Sequence, residues 1–236
     1  MTDDTQMAVC IAEEAAKGTL DRVGIGERFL GWFRAGQKDV GIQTARVLSA
    51  ADDGVGLPAQ AAVYFAANPR NAAGNGSLMR TGPVALPHLG DDAAIVEAAT
   101  RVSALTHGDP LAGEACALWS IGIDRAVRVG RLDGVRDGVA LLAEDRRSFW
   151  SDRLDEAEAS PPGRFNPNGF VVTTCKRRTR RSSRRPSLPI SRAGICRTRW
   201  PPQSGWVTIP TLSPPSLALS SVPGGGLLRC PCRGRR

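Results

Sequence analysis

Residues 175–236 contain no aspartate or glutamate, while the chain as a whole has one tyrosine and only two histidines, His88 and His107. An acid-free stretch cannot supply carboxylates to a metal or a general base, so any such chemistry must sit in residues 1–174. No apolar run is long enough to cross a bilayer, which excludes a helical membrane span. No basic segment followed by an apolar stretch opens the chain, and the reading therefore expects a cytoplasmic protein. Apolar residues nowhere alternate at period two over any length, which argues against a sheet. Cys230-Pro-Cys232 has no second Cys or His pair at zinc spacing, so a zinc site is not expected.

What remains divides in two. The first 174 residues hold all 23 acids and 17 bases, a net charge of −6, whereas residues 175–236 carry fourteen Lys and Arg, a net charge of +14. The overall +8 describes neither part. The body is rich in Ala, Gly, Val and Leu at helical spacing. The expected helices are Asp4–Lys17, Leu20–Ala35, Ile42–Ala50, Ser77–Leu89, Asp91–Leu105, Leu111–Val129, Gly134–Leu142 and Arg147–Glu158, with 51–75 a loop around a short helix. Leu118, Trp119, Ile121, Ile123 and Val127 mark Leu111–Val129 as the central helix. Met7, Cys10, Ile11 and Ala15 form the inward stripe of the first, and Met79, Val84 and Leu86 are expected inward in the fourth. Cys10 and Cys116 read as small buried hydrophobes. GFVVTT (169–174) reads as the start of another helix or a short extended piece. The fold class expected is all-α, a single helical domain. Nine of the seventeen prolines and the string KRRTRRSSRR lie beyond residue 174, a composition that reads as a disordered basic tail.

Three strings carry chemistry. TDDT (Thr2, Asp3, Asp4, Thr5) places a hydroxyl beside paired carboxylates, a hard-oxygen set suited to Mg²⁺ or Mn²⁺, although Thr2 or Asp3 reads equally as a helix cap. AGNGSLMR (73–80) sets Asn75, Gly76 and Ser77 where small residues let backbone N–H groups approach an anion; its local alternative is a turn capped by Ser77. THGDP (106–110) places His107 and Asp109 before a helix that Asp109 is able to cap.

In this order the three strings resemble the ADP-ribosylglycohydrolase family, of the dinitrogenase-reductase-activating glycohydrolase type. The resemblance covers residues 1 to about 174. It implies a helical domain that removes ADP-ribose from a modified protein or a small-molecule acceptor, using two Mg²⁺ or Mn²⁺ ions. It implies that Thr2, Asp3 and Asp4 hold metal, with Asp3 and Asp4 catalytic, and that Asn75, Gly76, Ser77, His107 and Asp109 bind the substrate. Members look like a domain that starts before the TDDT string and closes with a second metal string of the type GDDTDT. Neither the earlier segment nor that string is present in the 236 residues, so the expectation is an incomplete, inactive domain. A degenerate module that holds ADP-ribose or a nucleotide without cleaving it is the alternative. A nucleic-acid partner for the arginine tail is weaker, since no recognition module accompanies the charge, and no membrane partner is expected.

The genetic code offers a reason for the missing string. When each triplet is read from the third base of one codon and the first two of the next, Trp206–Leu219 permits Gly-Asp-Asp-Thr-Asp-Thr-Val-Ala-Ala-Ile-Ala-Gly-Ala. The same shift over 174–182 permits an Ala-rich amphipathic run. The reading is therefore that residues 175–236 are an out-of-frame translation. Sequencing the gene tests it: the codons for 206–219 are expected to spell GDDTDT in the shifted frame, and codons unable to do so contradict it.

Overall fold

The structure is a computed structural model that describes residues 2–37, 39–161, 164–165 and 169–183, with side chains up to Thr179 apart from Arg177. Among these residues the secondary structure is helical: α1 (Asp3–Ala15), α2 (Arg22–Arg34), α3 (Ile42–Ser49), α4 (Leu57–Ala67), α5 (Gly76–Arg80), α6 (Asp92–Ser103), α7 (Pro110–Val129), α8 (Glu144–Ala159) and α9 (Val171–Ser183), with 3-10 helices at Gly82–His88 and Gly134–Leu141. There is no strand among the described residues, only an isolated antiparallel bridge between Gly74 and Phe170. The all-α expectation holds.

The helix α7 is the axis. Asp109 accepts a hydrogen bond from the Leu111 N–H, Pro110 occupies the first turn, and Gly130 closes the helix at φ +70°, a left-handed conformation that other residues adopt at a cost. Ala112, Ala115, Cys116, Leu118 and Ile121 are buried along it. The same helix corrects one expectation: Val127 is half exposed.

Two ion-pair systems pin the periphery. Arg125 reaches both oxygens of Asp92 at 2.7 and 2.8 Å and also contacts Asp124 and Asp137, joining α6, α7 and the second 3-10 helix. Asp124 is fully buried and accepts the Gly90 N–H at 2.9 Å, so its charge is both paired and hydrogen-bonded. On the other side Glu114 accepts a two-pronged bond from Arg146 and the Trp150 indole N–H at 2.6 Å, which lets the largest side chain of α8 be buried without an orphaned donor.

The expected helix over Ser77–Leu89 is two pieces. Pro83 and Pro87 remove N–H donors from the α-helical ladder, and the segment becomes five residues of α-helix followed by a 3-10 helix. Starting at Gly76, the short helix turns Ser77, Leu78 and Arg80 inward, while Met79 is only half-buried and Leu86 is 48% exposed. Gly134–Leu142, expected to be helical, is a 3-10 helix over Gly134–Leu141.

Helix α9 begins inside the body and runs into the stretch that composition assigned to the tail. Val171, Thr174, Cys175 and Thr179 are buried, a spacing of 3, 4 and 8 from Val171 that places one face on α7 and α8. Residues 175–183 are therefore helical and packed as far as they are described. The remainder of the expected disordered tail, residues 184–236, including Cys196, Cys230 and Cys232, lies outside the described residues.

Candidate functional site

The three strings are separated by about seventy and thirty residues in the chain, and one side chain draws them together. Arg80, at the end of α5, is 1% exposed. Its Nη2 donates to Thr106 Oγ1 at 2.5 Å, its Nη1 lies 3.4 Å from Met7 Sδ on α1, and its guanidinium sits 4.6 Å from the centre of the Phe29 ring. No carboxylate pairs with it among the described residues, and its Nε has no hydrogen-bond partner. Burial pulls it down to about 10, so it is still a cation at neutral pH. The expectation from sequence assigned Arg80 no role; its only signal is its place at the end of the AGNGSLMR string.

The THGDP loop continues from this contact. Thr106 Oγ1 lies 2.8 Å from His107 Nδ1, and the Thr106 carbonyl accepts from Gln43 Nε2 at 3.2 Å. Burial first, and then the charge of Arg80, hold His107 down to about 3, well below its usual 6.5. The ring faces the backbone of the second string: a Cβ on Gly74 would stand 3.3 Å from Nε2, and one on Gly76 would stand 3.1 Å from Cε1. A methyl group at either position would make the ring give by a few tenths of an ångström, so glycine allows the closest approach. Gly108 serves the same loop, because a Cβ there would lie 2.5 Å from the Ala61 carbonyl oxygen of α4. Asp109 acts as the cap of α7, one of its two expected roles.

Asn75 is held from the far end of the body. Its backbone N–H donates to the Gly169 carbonyl at 2.8 Å, and its Nδ2 donates to Thr174 Oγ1 at 3.0 Å. Ser77 is buried and lies 3.5 Å from Cys116 Sγ; it is not a cap. Helix α5 is one turn long, so any attraction for an anion at this loop comes from its own N–H groups rather than from a summed helix dipole.

The TDDT string forms the start of α1. Thr2 occupies the capping position without a side-chain bond to the helix, its Oγ1 lying 3.2 Å from Thr5 Oγ1, and Asp3 Oδ1 accepts the Asp4 N–H at 2.9 Å. Both carboxylates are partly exposed. Burial, and next the charge of Asp3, raise the Asp4 carboxyl above its ordinary value, while Arg80 and Arg178 oppose them and Asp39 adds to them. Arg80 therefore stands in the field of the acidic pair as well as against the histidine loop. Asp39 was not anticipated, since it stands in an ordinary loop sequence.

The residues present fit part of a metal site. Thr2, Asp3 and Asp4 offer hard oxygens next to one another, and mutual repulsion of the two carboxylates favours a cation between them. Among the described residues no group of three or more His, Cys, Asp or Glu is placed to hold an ion. That donor set suits one cation that keeps most of its water; it falls short of two. A shallow cleft lined by Thr19, Arg22, His88 and Arg101 contains none of the residues of the three strings.

The sequence profile of the ADP-ribosylglycohydrolase family matches residues 1–218. The chain belongs to the ADP-ribosylglycohydrolase family. The matched span includes all three strings and runs on into the basic tail. An ADP-ribosyl-[dinitrogen reductase] glycohydrolase from Rhodospirillum rubrum is 29% identical over 150 residues, which are 63% of this chain and 49% of that protein. The chain thus matches about half the length of this curated relative. Among the described residues no helix is long and apolar enough to cross a membrane.

The buried histidine generates a pH prediction. Between about 3, its value in the fold, and 6.5, the unfolded chain binds the proton that the folded chain excludes, so stability rises with pH in that window and is lost as pH falls through it. Acidification from pH 7 to 5 is expected to cost about 2 kcal/mol through His107. Urea unfolding of wild type and His107→Gln at the two pH values measures it: most of the loss should vanish in the variant, and an unchanged loss contradicts a neutral buried ring.

Proposed function

We propose that this chain is built to hydrolyse the glycosidic bond between ADP-ribose and an acceptor, an ADP-ribosylated protein or an ADP-ribose-like small molecule, and that these 236 residues supply the ligand cradle and one of two metal strings. The observation that carries the reading is the continuous contact Met7–Arg80–Thr106–His107–Gly76, which joins the acidic helix start, the histidine loop and the glycine turn across the fold. Family membership and the named relative support the chemistry.

In this reading Asn75 anchors the turn through its bonds to Gly169 and Thr174, and the backbone at Gly76, with the buried Ser77 beneath, receives the diphosphate and adjoining ribose. His107 is a neutral hydrogen-bond donor or acceptor there, not a proton carrier, because a ring held near 3 does not ionise at neutral pH. Asp109 supports the loop by capping α7. Asp3 and Asp4 accept hydrogen bonds from ribose hydroxyls and from the attacking water. Oxygen of that water bonds to the anomeric carbon as the bond to the acceptor breaks. Asp4 takes the water's proton, and the leaving group departs with the bonding pair and receives that proton. Thr2, Asp3 and Asp4 would hold Mg²⁺ or Mn²⁺, which when bound supplies charge stabilisation and a more acidic water.

The missing second string limits what the chain does alone. Two carboxylates and a hydroxyl give too few donors for tight Mg²⁺ binding, which favours the second reading, a module that holds ADP-ribose without turning it over. We propose that a change of reading frame near Thr174 removed that string. Calorimetry with ADP-ribose, with and without Mg²⁺, alongside an assay of ADP-ribose release from a modified protein, tests both readings. Expected are measurable binding of ADP-ribose, strengthened little by Mg²⁺, and no release. Mg²⁺-dependent release contradicts the loss of activity, and absence of binding contradicts the cradle.

A further inference from the structure

Thr106 has one hydroxyl hydrogen, and two groups compete to fix where it points. Arg80 Nη2, which has no acceptor capacity, donates to Thr106 Oγ1 at 2.5 Å. The same oxygen lies 2.8 Å from His107 Nδ1. If Nδ1 carried the imidazole proton, Oγ1 would accept from both neighbours and its own hydrogen would be left without an acceptor in a side chain that is fully buried, which is unfavourable. The arrangement that satisfies every group has Thr106 donating to Nδ1.

We propose that Arg80, acting through Thr106, is a positioning residue that locks His107 in the tautomer protonated on Nε2, so that the ring presents an N–H donor towards the Gly74–Gly76 turn. Nε2 has no protein partner among the described residues and packs against the turn, a Cβ on Gly74 standing 3.3 Å from it. Facing the turn that the proposed function makes the ligand cradle, this N–H is a donor for a ligand hydroxyl. This ligand half rests on the proposed function; the tautomer does not.

With two histidines in the chain, long-range ¹H–¹⁵N NMR of the full-length protein at pH 7 reads the tautomer directly, His88→Asn assigning the signals. Expected for His107 is a protonated Nε2 and an unprotonated Nδ1. Thr106→Val, nearly the same shape without the hydroxyl, should convert this to a mixture or to the Nδ1–H form and weaken ADP-ribose about tenfold, while Thr106→Ser restores the wild-type pattern. An Nδ1–H tautomer in the wild type overturns the proposal without any variant, and so does a Thr106→Val spectrum identical to wild type. If the tautomer is as expected and ADP-ribose fails to bind at all, the relay stands and the proposed function falls.

Discussion

A guanidinium buried among a thioether, a phenyl ring and a hydroxyl, with no carboxylate paired to it, is the constraint on which the arrangement of this molecule depends. Removing an arginine from water costs several kcal/mol even after relaxation, and Arg80 recovers that cost from Thr106, Met7 Sδ and the face of Phe29. Each partner belongs to a different element: the loop before α7, helix α1 and helix α2. To keep Arg80 solvated by protein, these elements have to meet where they do. The acidic start of α1 and the histidine loop are thereby brought into one electrostatic neighbourhood, and Asp4 and His107 both feel the same cation.

The cation serves the two halves of the site differently. Beside His107 it adds to burial in keeping the ring neutral, which suits a group that orients a ligand and does not suit one that shuttles protons. Beside Asp4 it offsets part of the cost of placing two carboxylates together at partial burial. The near-contact of His107 with Gly74 and Gly76 completes the geometry, since a methyl group at either glycine would press on the ring.

Much of this was legible in the sequence, and the exceptions have local causes. The helical periods of α1, α2, α6 and α7 carried their boundaries to within two or three residues, because each has a long apolar stripe, and α2, α6 and α7 also have side-chain caps at Asp21, Asp91 and Asp109. Ser77–Leu89 was misread as one helix because two prolines break an otherwise helical apolar pattern. The motif strings singled out Asn75, Gly76, His107 and Asp109, yet they could not reveal that Asn75 is tethered to Thr174 of α9, nearly a hundred positions away, since a single hydrogen bond between a turn and a distant helix leaves no period in the sequence. Arg80 and Gln43 escaped for a related reason: an arginine closing a short helix and a glutamine opening another read as exposed polar residues, and only tertiary packing turns them inward. Asp39 gave no signal at all.

The most direct test of the account is a double-mutant cycle on Arg80 and Thr106, using Arg80→Met and Thr106→Val with unfolding followed by urea denaturation. If Arg80 joins α1 to the histidine loop through the Thr106 hydroxyl, the two substitutions are coupled by about 1–3 kcal/mol, the double variant being less destabilised than the sum of the single ones. Losses that add to within about 0.5 kcal/mol would show that the two side chains act independently, and the link between the acidic helix and the histidine loop would not exist.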